Sequence, residues 1–222
     1  MWCIPTITPE FIERMEDVLD LYAKPYNKNE PVLCFDEKSK QLLSDTKPIK
    51  QTNVGMLRHR DYEYKRGGTT NIFLTVEPKG GYRSVRATPR RTRSDFAQEL
   101  QRIVGLPRYK NARRIHFVCD NLNTHNQRSL QERFGSKETQ RIMRKVKFHY
   151  TPKHASWLNM AEIEIGVMSR QAIKGRIPTP ERLRGQLAAW QRRRNRQQAT
   201  IDWTFTKQDA KRKLKYVCRK LS

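Results

Sequence analysis

Apolar residues along the chain fall into short runs with two different periods. Phe11, Ile12, Met15, Val18, Leu19 and Tyr22 recur at helical spacing behind Thr8-Pro9-Glu10. There a hydroxyl cap, a first-turn proline and an acid near the helix N-terminus coincide, which predicts a helix over 9–21. Pro25 and Pro31 close it and lead to a first strand at 32–36. A second strand is expected at 71–76 and a third at 82–88, with Gly67-Gly68 and Gly80-Gly81 read as turns. Ser94 reads as the cap of a helix carrying Phe96, Leu100, Ile103 and Val104, which stops at Gly105 and Pro107. A fourth strand at 115–119, a polar helix near 125–134 and a fifth strand at 146–150 follow. Leu158, Ala161, Ile165, Met168 and Ala172 form the stripe of a helix over 158–173. Beyond Pro178 and Pro180 come a helix over 181–196, an apolar connector at 201–205 and a basic helix at 207–221.

Residues 44–68 carry no such period. Apart from a weak apolar patch at 54–57 they are polar, and they read as a long basic loop with Lys47, Lys50, Arg58, His59, Arg60, Lys65 and Arg66. The element order, three strands and then strands alternating with helices, predicts an α/β architecture. Its sheet is mixed and five-stranded: an antiparallel three-strand meander plus two strands parallel to the first.

Composition adds a partner. Lys and Arg number 46 against 22 Asp and Glu, a net charge of +24 spread along 222 residues. Such a charge favours a polyanion, because each neutralised phosphate releases counterions. Cys3, Cys34, Cys119 and Cys218 are too far apart in sequence for a metal knuckle. Cys34 and Cys119 lie inside apolar runs and read as buried hydrophobes. No apolar run is long enough to span a membrane, and the N-terminus lacks signal-peptide features. A cytoplasmic protein without a membrane partner is the expectation.

The chemistry is expected where strands end in acid. Asp36 closes the first strand and Asp120 the fourth, so parallel neighbouring strands would bring both carboxylates to one sheet edge. Two carboxylates about 4 Å apart repel by roughly 4 kcal/mol at an effective dielectric of 20, and a divalent cation reverses that sign. Hard oxygen ligands suit Mg²⁺, and carboxylate-bound metal beside a phosphate backbone is the material of two-metal phosphodiester chemistry. Glu162 and Glu164 are both candidates for a third acid. They flank the apolar stripe of their helix on opposite sides, and helical phase does not choose between them. Glu162 also has capping-box spacing from Asn159.

Three segments, LCFDEKSKQLL, HFVCDNLNTH and HYTPKHASWLNMAEIEIGVMSRQ, resemble the catalytic domain of bacterial insertion-sequence transposases of the mariner-like DDE superfamily, from about residue 2 to 214. The resemblance implies an RNase H-like fold in which Asp36, Asp120 and Glu162 bind two Mg²⁺ ions, with Mn²⁺ able to substitute. Glu162 is chosen over Glu164 because it ends the string Leu158-Asn159-Met160-Ala161-Glu162. The division implied is a lead-in helix in 1–30, a catalytic domain in 31–176 and a basic helical extension in 177–222. The reaction implied is hydrolysis of DNA at transposon ends and strand transfer into target DNA. Relatives carry helix-turn-helix units ahead of this domain. Here the opening helix is single, so that part is expected to be missing or supplied by a separate polypeptide. A DNA-binding remnant and a domesticated nuclease are the alternative readings. The analogy also implies a homodimer and a nucleoid-associated location in a bacterium.

Around this site Asn121 and His125 are expected to orient the metal ligands from behind. Lys38, Lys153 and His154 are candidates for phosphate contact. Arg192, Arg193 and Arg194, with Lys211, Arg212, Lys213 and Lys215, read as charges that track a DNA backbone. Trp157, Trp190 and Trp203 read as packing residues, with base stacking as the alternative.

Overall fold

In the computed structural model, which describes residues 7–47 and 62–214, five strands lie in the order β3-β2-β1-β4-β5. They are β1 (Val32–Asp45), β2 (Tyr64–Glu77), β3 (Tyr82–Thr88), β4 (Ile115–Cys119) and β5 (Val146–Tyr150). The first three pair antiparallel, while β4 is parallel to both β1 and β5. The mixed sheet expected from the pattern is the one observed. Helices α1 (Pro9–Ala23), α4 (Met160–Gln171) and α5 (Pro180–Arg196) cover one face, burying Cys34, Leu74 and Val118. Helices α2 (Arg93–Val104) and α3 (Gln127–Met143) cover the other, burying Leu33, Phe35 and Phe117. Both faces are covered by helices, and strand alternation assigns successive residues of β1 to opposite layers.

Several local expectations shift. Residues 44–68 are not all loop: β1 runs on to Asp45 and β2 begins at Tyr64, forming a long two-stranded arm. Its β2 half is exposed from Tyr64 to Thr69, so no apolar period marks it, and backbone pairing alone defines it. Gly67 and Gly68 make no turn. They stand opposite Leu42 where the register slips, a bulge for which Gly68 takes φ 88°. Arg176 grips the arm, donating to Asp45 Oδ1 at 2.7 Å and to the carbonyls of Glu63 and Tyr62. Helix α2 is capped by Thr92 rather than Ser94, since Thr92 and Asp95 form a reciprocal capping box. Helix α3 continues past Phe134 through a break at Gly135 (φ 73°), which a glycine tolerates. The final helix, α6 (Lys207–Leu214), is described only to Leu214. The patch at 54–57, Lys50, Arg58, His59, Arg60, Lys215, Cys3 and Cys218 lie outside the described residues. Cys34 and Cys119 are buried and free, and burial pushes the Cys34 thiol up to about 12.

Helix α5 is tied to the open edge of the sheet by side chains that complete its ladder. Asn195 accepts from the Arg83 backbone N–H at 2.7 Å and donates to its carbonyl at 2.9 Å, and Gln191 Oε1 accepts from the Val85 N–H. An exposed β-edge is thereby covered. Beneath it Glu164 accepts from two guanidiniums: Arg83 at 2.9 and 3.0 Å, Arg194 at 3.0 and 3.2 Å. Burial works to raise the Glu164 pKa, and the two arginines hold it below the ordinary carboxylate range. Arg83 is wholly buried, so removing its counter-charge leaves an uncompensated ion inside the protein. We predict that Glu164→Ala lowers unfolding stability by about 3–5 kcal/mol, read as a fall in the urea midpoint.

Candidate active site

The register of β1 on β4 decides where the first two acids go. Cys34 pairs with Val118, so two residues further along Asp36 and Asp120 stand at the same level. Asp36 does not close its strand as expected: β1 runs on to Asp45 with Asp36 opposite Leu74 of β2, so it is the β1–β4 pairing, and not β1, that stops short of Asp36. Asp36 continues the face of Cys34, toward α4, and accepts from the Glu37 backbone N–H at 2.7 Å. Asp120 stands just past the last residue of β4, and its Oδ1 is hydrogen-bonded to Nδ1 of His125.

The third acid arrives by a tether. Asn159 caps α4 through its own side chain, which accepts from the Ala161 N–H at 3.1 Å. Its amide also donates to the Phe35 carbonyl at 2.8 Å, one residue before Asp36. The first turn of α4 is thus pinned to the end of β1, and that turn carries Glu162, exposed at the surface. Helical phase left Glu162 and Glu164 open, and burial separates them: Glu164 lies under the two arginines, while the charge of Glu162 reaches Asp36.

Asp36 registers this crowding. Burial first, then the charges of Glu162 and Asp120, push its carboxyl up to about 7, against the pull of the Glu37 N–H and His125. His125 moves with its partners. Burial opposes a charged ring, but Asp120 and Glu37 more than offset it and lift the imidazole to about 9. Among the described residues no three His, Cys, Asp or Glu side chains stand close enough together to hold a metal ion as they are. The charges of Glu162 and Asp120 both act on Asp36, and hard carboxylate oxygens of this kind suit a hard divalent cation.

The basic candidates divide. Lys38 lies on β1 two residues beyond Asp36 and on the same face. Lys153 and His154 are exposed in the loop that leaves β5, where the Thr151 N–H donates to the Cys119 carbonyl beside Asp120. Arg192 and Arg193 are exposed on α5, against β3 and two strands from β1, so the fold does not gather them at the carboxylates. Arg194 is a correction: it turns inward to Glu164, and its guanidinium holds the fold together instead of facing outward. Asn121 is exposed beside Asp120. The tryptophans pack: Trp190 is buried with Nε1 donating to Gln171, Trp157 meets Phe205 edge-on at 5.2 Å, and Trp203 lies 5.3 Å from Tyr22. The pattern of residues assigned no role to Glu37 or Arg91. The signal for Glu37 was strand alternation, which sets it on the face of Phe35, where His125 also packs, and Arg91, between β3 and α2, carried none.

A family model for the DDE superfamily endonucleases matches residues 31–184. Among solved structures, the Mos1 mariner paired end complex with Mn is similar, with a TM-score of 0.57 and 15% identity over 90% of this chain and 61% of that one. The Mos1 transposase paired-end complex with left transposon end has a TM-score of 0.56 at 15% identity, over 90% of this chain and 62% of that one. The Mos1 Strand Transfer Complex has a TM-score of 0.54 at 15% identity, over 90% and 61%. At such identity the likeness is one of fold, the RNase H-like sheet with its flanking helices. This chain spans less than two thirds of the length of those transposase chains. A search of curated proteins finds no match. With about two thirds of its length matched by the family model, and with Asp36 and Asp120 level where β4 ends beside β1, the chain belongs to the DDE superfamily endonucleases.

Proposed function

We propose that this protein is the catalytic part of a mariner-like transposase, which hydrolyses DNA phosphodiesters at transposon ends and joins the freed ends to target DNA. The observation that carries the reading is the level placement of Asp36 and Asp120 by the β1–β4 register, with Glu162 brought alongside by Asn159. The +24 charge supports double-stranded DNA as the substrate. The Mos1 paired-end and strand-transfer complexes support transposon ends as the DNA and strand transfer as the reaction, and a homodimer bridging two ends is part of the proposal. We take 31–176 as the catalytic body, preceded by a lead-in helix and followed by a helical extension. A helix-turn-helix partner polypeptide would supply recognition of the ends, and the site of action would be the bacterial nucleoid.

Two divalent cations, Mg²⁺ or Mn²⁺, fit the donor set, and the Mos1 complexes with Mn and with Mg support that class of ion. Asp36 would serve both, with Asp120 completing one site and Glu162 the other. When bound, the pair would activate the attacking water or 3′-hydroxyl and stabilise the leaving oxygen. The protein's own contribution is orientation. His125 holds one oxygen of Asp120, the Glu37 N–H holds one oxygen of Asp36, and the α4 cap fixes the turn that bears Glu162. Lys38, Lys153 and His154 would meet the phosphates, with Arg192 and Arg193 contacting backbone further away.

Nicking of a labelled duplex carrying the element's ends tests the chemistry. Asp120→Asn and Glu162→Gln are expected to abolish Mg²⁺-dependent cleavage while leaving the salt-sensitive DNA affinity of the wild type intact. Binding without cleavage in the wild type itself would instead favour a DNA-holding remnant.

The electrostatics give a second test. The folded state keeps the Asp36 proton up to about 7, whereas an unfolded aspartate releases it near 3.8. Stability from this group is therefore present at low pH and is lost as pH rises through that window, and a cation relieves the cost. Mg²⁺ should raise the melting temperature more at about pH 8 than at about pH 5, and the difference should shrink in Asp36→Asn. A Mg²⁺ effect that ignores pH would count against Asp36 as a ligand.

A further inference from the structure

Glu37 is the acid of the Asp36-Glu37 doublet in β1 to which the proposed chemistry gives only a backbone N–H. Alternation turns its side chain away from Asp36, to the face of Phe35, where it is 7% exposed. A carboxylate so placed needs partners, and among the described residues Glu37 has Arg91 and His125. Arg91 NH1, from a half-exposed guanidinium just ahead of α2, donates to Oε1 at 3.2 Å. On the other side Oε2 stands 3.9 Å from Nε2 of His125, a separation for ion pairing rather than a direct hydrogen bond.

His125 is the middle of this chain and has little freedom. Its side chain is fully buried. Phe96 lies against the ring at 4.8 Å between centroids, and Phe35 meets it edge-on at 5.3 Å. Its backbone carbonyl accepts from the Tyr150 hydroxyl at 2.9 Å, and its N–H donates to the Leu122 carbonyl at 2.9 Å. With Nδ1 on Asp120, the remaining nitrogen has no hydrogen-bond partner among the described residues, and the nearby Glu37 carboxylate is what answers it.

We propose that Glu37 is a positioning residue for Asp120: anchored by Arg91, it fixes the His125 ring, and the ring fixes which Asp120 oxygen is left to a cation. The inference rests on the metal-binding reading of Asp36, Asp120 and Glu162. Asp120 needs such help. It lies beyond the last residue of β4, its side chain is 34% exposed, and the terminal torsion of a carboxylate is soft. Outer partners of this kind typically change metal affinity by about 10–100-fold when removed. A Glu37 that served only to balance a buried ring would change stability without changing how Asp120 meets a cation.

The test is Mn²⁺ binding to the full chain without DNA, read by electron paramagnetic resonance of free Mn²⁺, beside thermal melting and DNA affinity in chelator. Glu37→Gln keeps the shape and removes the charge. It should weaken Mn²⁺ binding about tenfold while DNA affinity holds. Combined with His125→Asn it should add little to the loss that His125→Asn causes alone, because both act through one path. Arg91→Gln, at the more exposed end, should weaken Mn²⁺ binding by a smaller factor, and it decides the matter if Glu37→Gln does not fold. Wild-type Mn²⁺ affinity in these variants, or full additivity in the double variant, overturns the positioning role. Asp120→Asn in the same assay separates the two ideas. Impaired binding there with normal binding in Glu37→Gln removes Glu37 alone, whereas normal binding in Asp120→Asn removes the metal reading and the positioning role with it.

Discussion

Like charge drawn to one edge of the sheet is the constraint that the surrounding structure has to meet. The β1–β4 register places Asp36 and Asp120 level, and the Asn159 tether brings Glu162 within reach of their fields. At an effective dielectric of 20, two carboxylates at about 4 Å repel by about 4 kcal/mol, and the cost falls as they draw apart. The three acids meet this in three ways. Asp36, the most enclosed, holds its proton to about 7. Asp120 takes the His125 ring as a counter-charge. Glu162 stays at the surface in the first turn of α4, where solvent and the helix N-terminus both favour an anion. The arrangement is held by the strands, the α4 cap and the aromatic packing around His125.

The large positive charge has two populations with different work. Some arginines are structural, and each faces a buried glutamate: Arg83 and Arg194 on Glu164, Arg102 on Glu99, Arg108 on Glu77. In all three cases the glutamate side chain is 1–2% exposed, so the arginine offsets a charge that water no longer reaches. Lys153, His154, Arg192 and Arg193 instead remain at the surface. A net charge of +24 therefore measures the attraction to a polyanion without saying which cations supply it. Arg194 shows the difference most sharply. It lies in a run of three arginines that looks uniform, yet helix phase turns it to Glu164 while its neighbours face solvent.

Sequence reading recovers what burial writes into periodicity. The bounds of β3, β4 and β5 follow from alternation and short apolar runs between turn residues, and α1 and α5 from caps and stripes. The arm formed by the outer halves of β1 and β2 was illegible because both of its faces are polar on the β2 side. The Gly67-Gly68 pair misled for a related reason, since a bulge and a turn ask the same conformation of glycine. Within the site, Asp120 was legible as a strand end, but Asp36 was not one: the apolar run stops there, while β1 continues to Asp45 as a polar strand. Helical phase did not separate Glu162 from Glu164, which only the resemblance did, because the partition depends on Arg83 from β3 and Arg194 from α5, residues distant in sequence that the folded sheet edge brings together.

The Asp36-Glu37 doublet shows how one geometric rule divides two neighbouring acids. Successive side chains of a strand leave on opposite faces, so identical charges one residue apart enter different layers. Asp36 goes to the side of α4 and meets Glu162, another acid, which leaves it short of positive charge. Glu37 goes to the side of α2 and α3 and meets Arg91 and His125, which supply it. The first is thereby primed to take a cation from solution, and the second is already neutralised by the protein. His125 joins the two sides, because Asp120 lies past the end of β4 and is free of the alternation that binds the strands. A shift of β1 by one residue would exchange the two acids, placing the satisfied environment around Asp36 and the unsatisfied one around Glu37. Register in β1 is therefore a determinant of the site's chemistry as well as of its core.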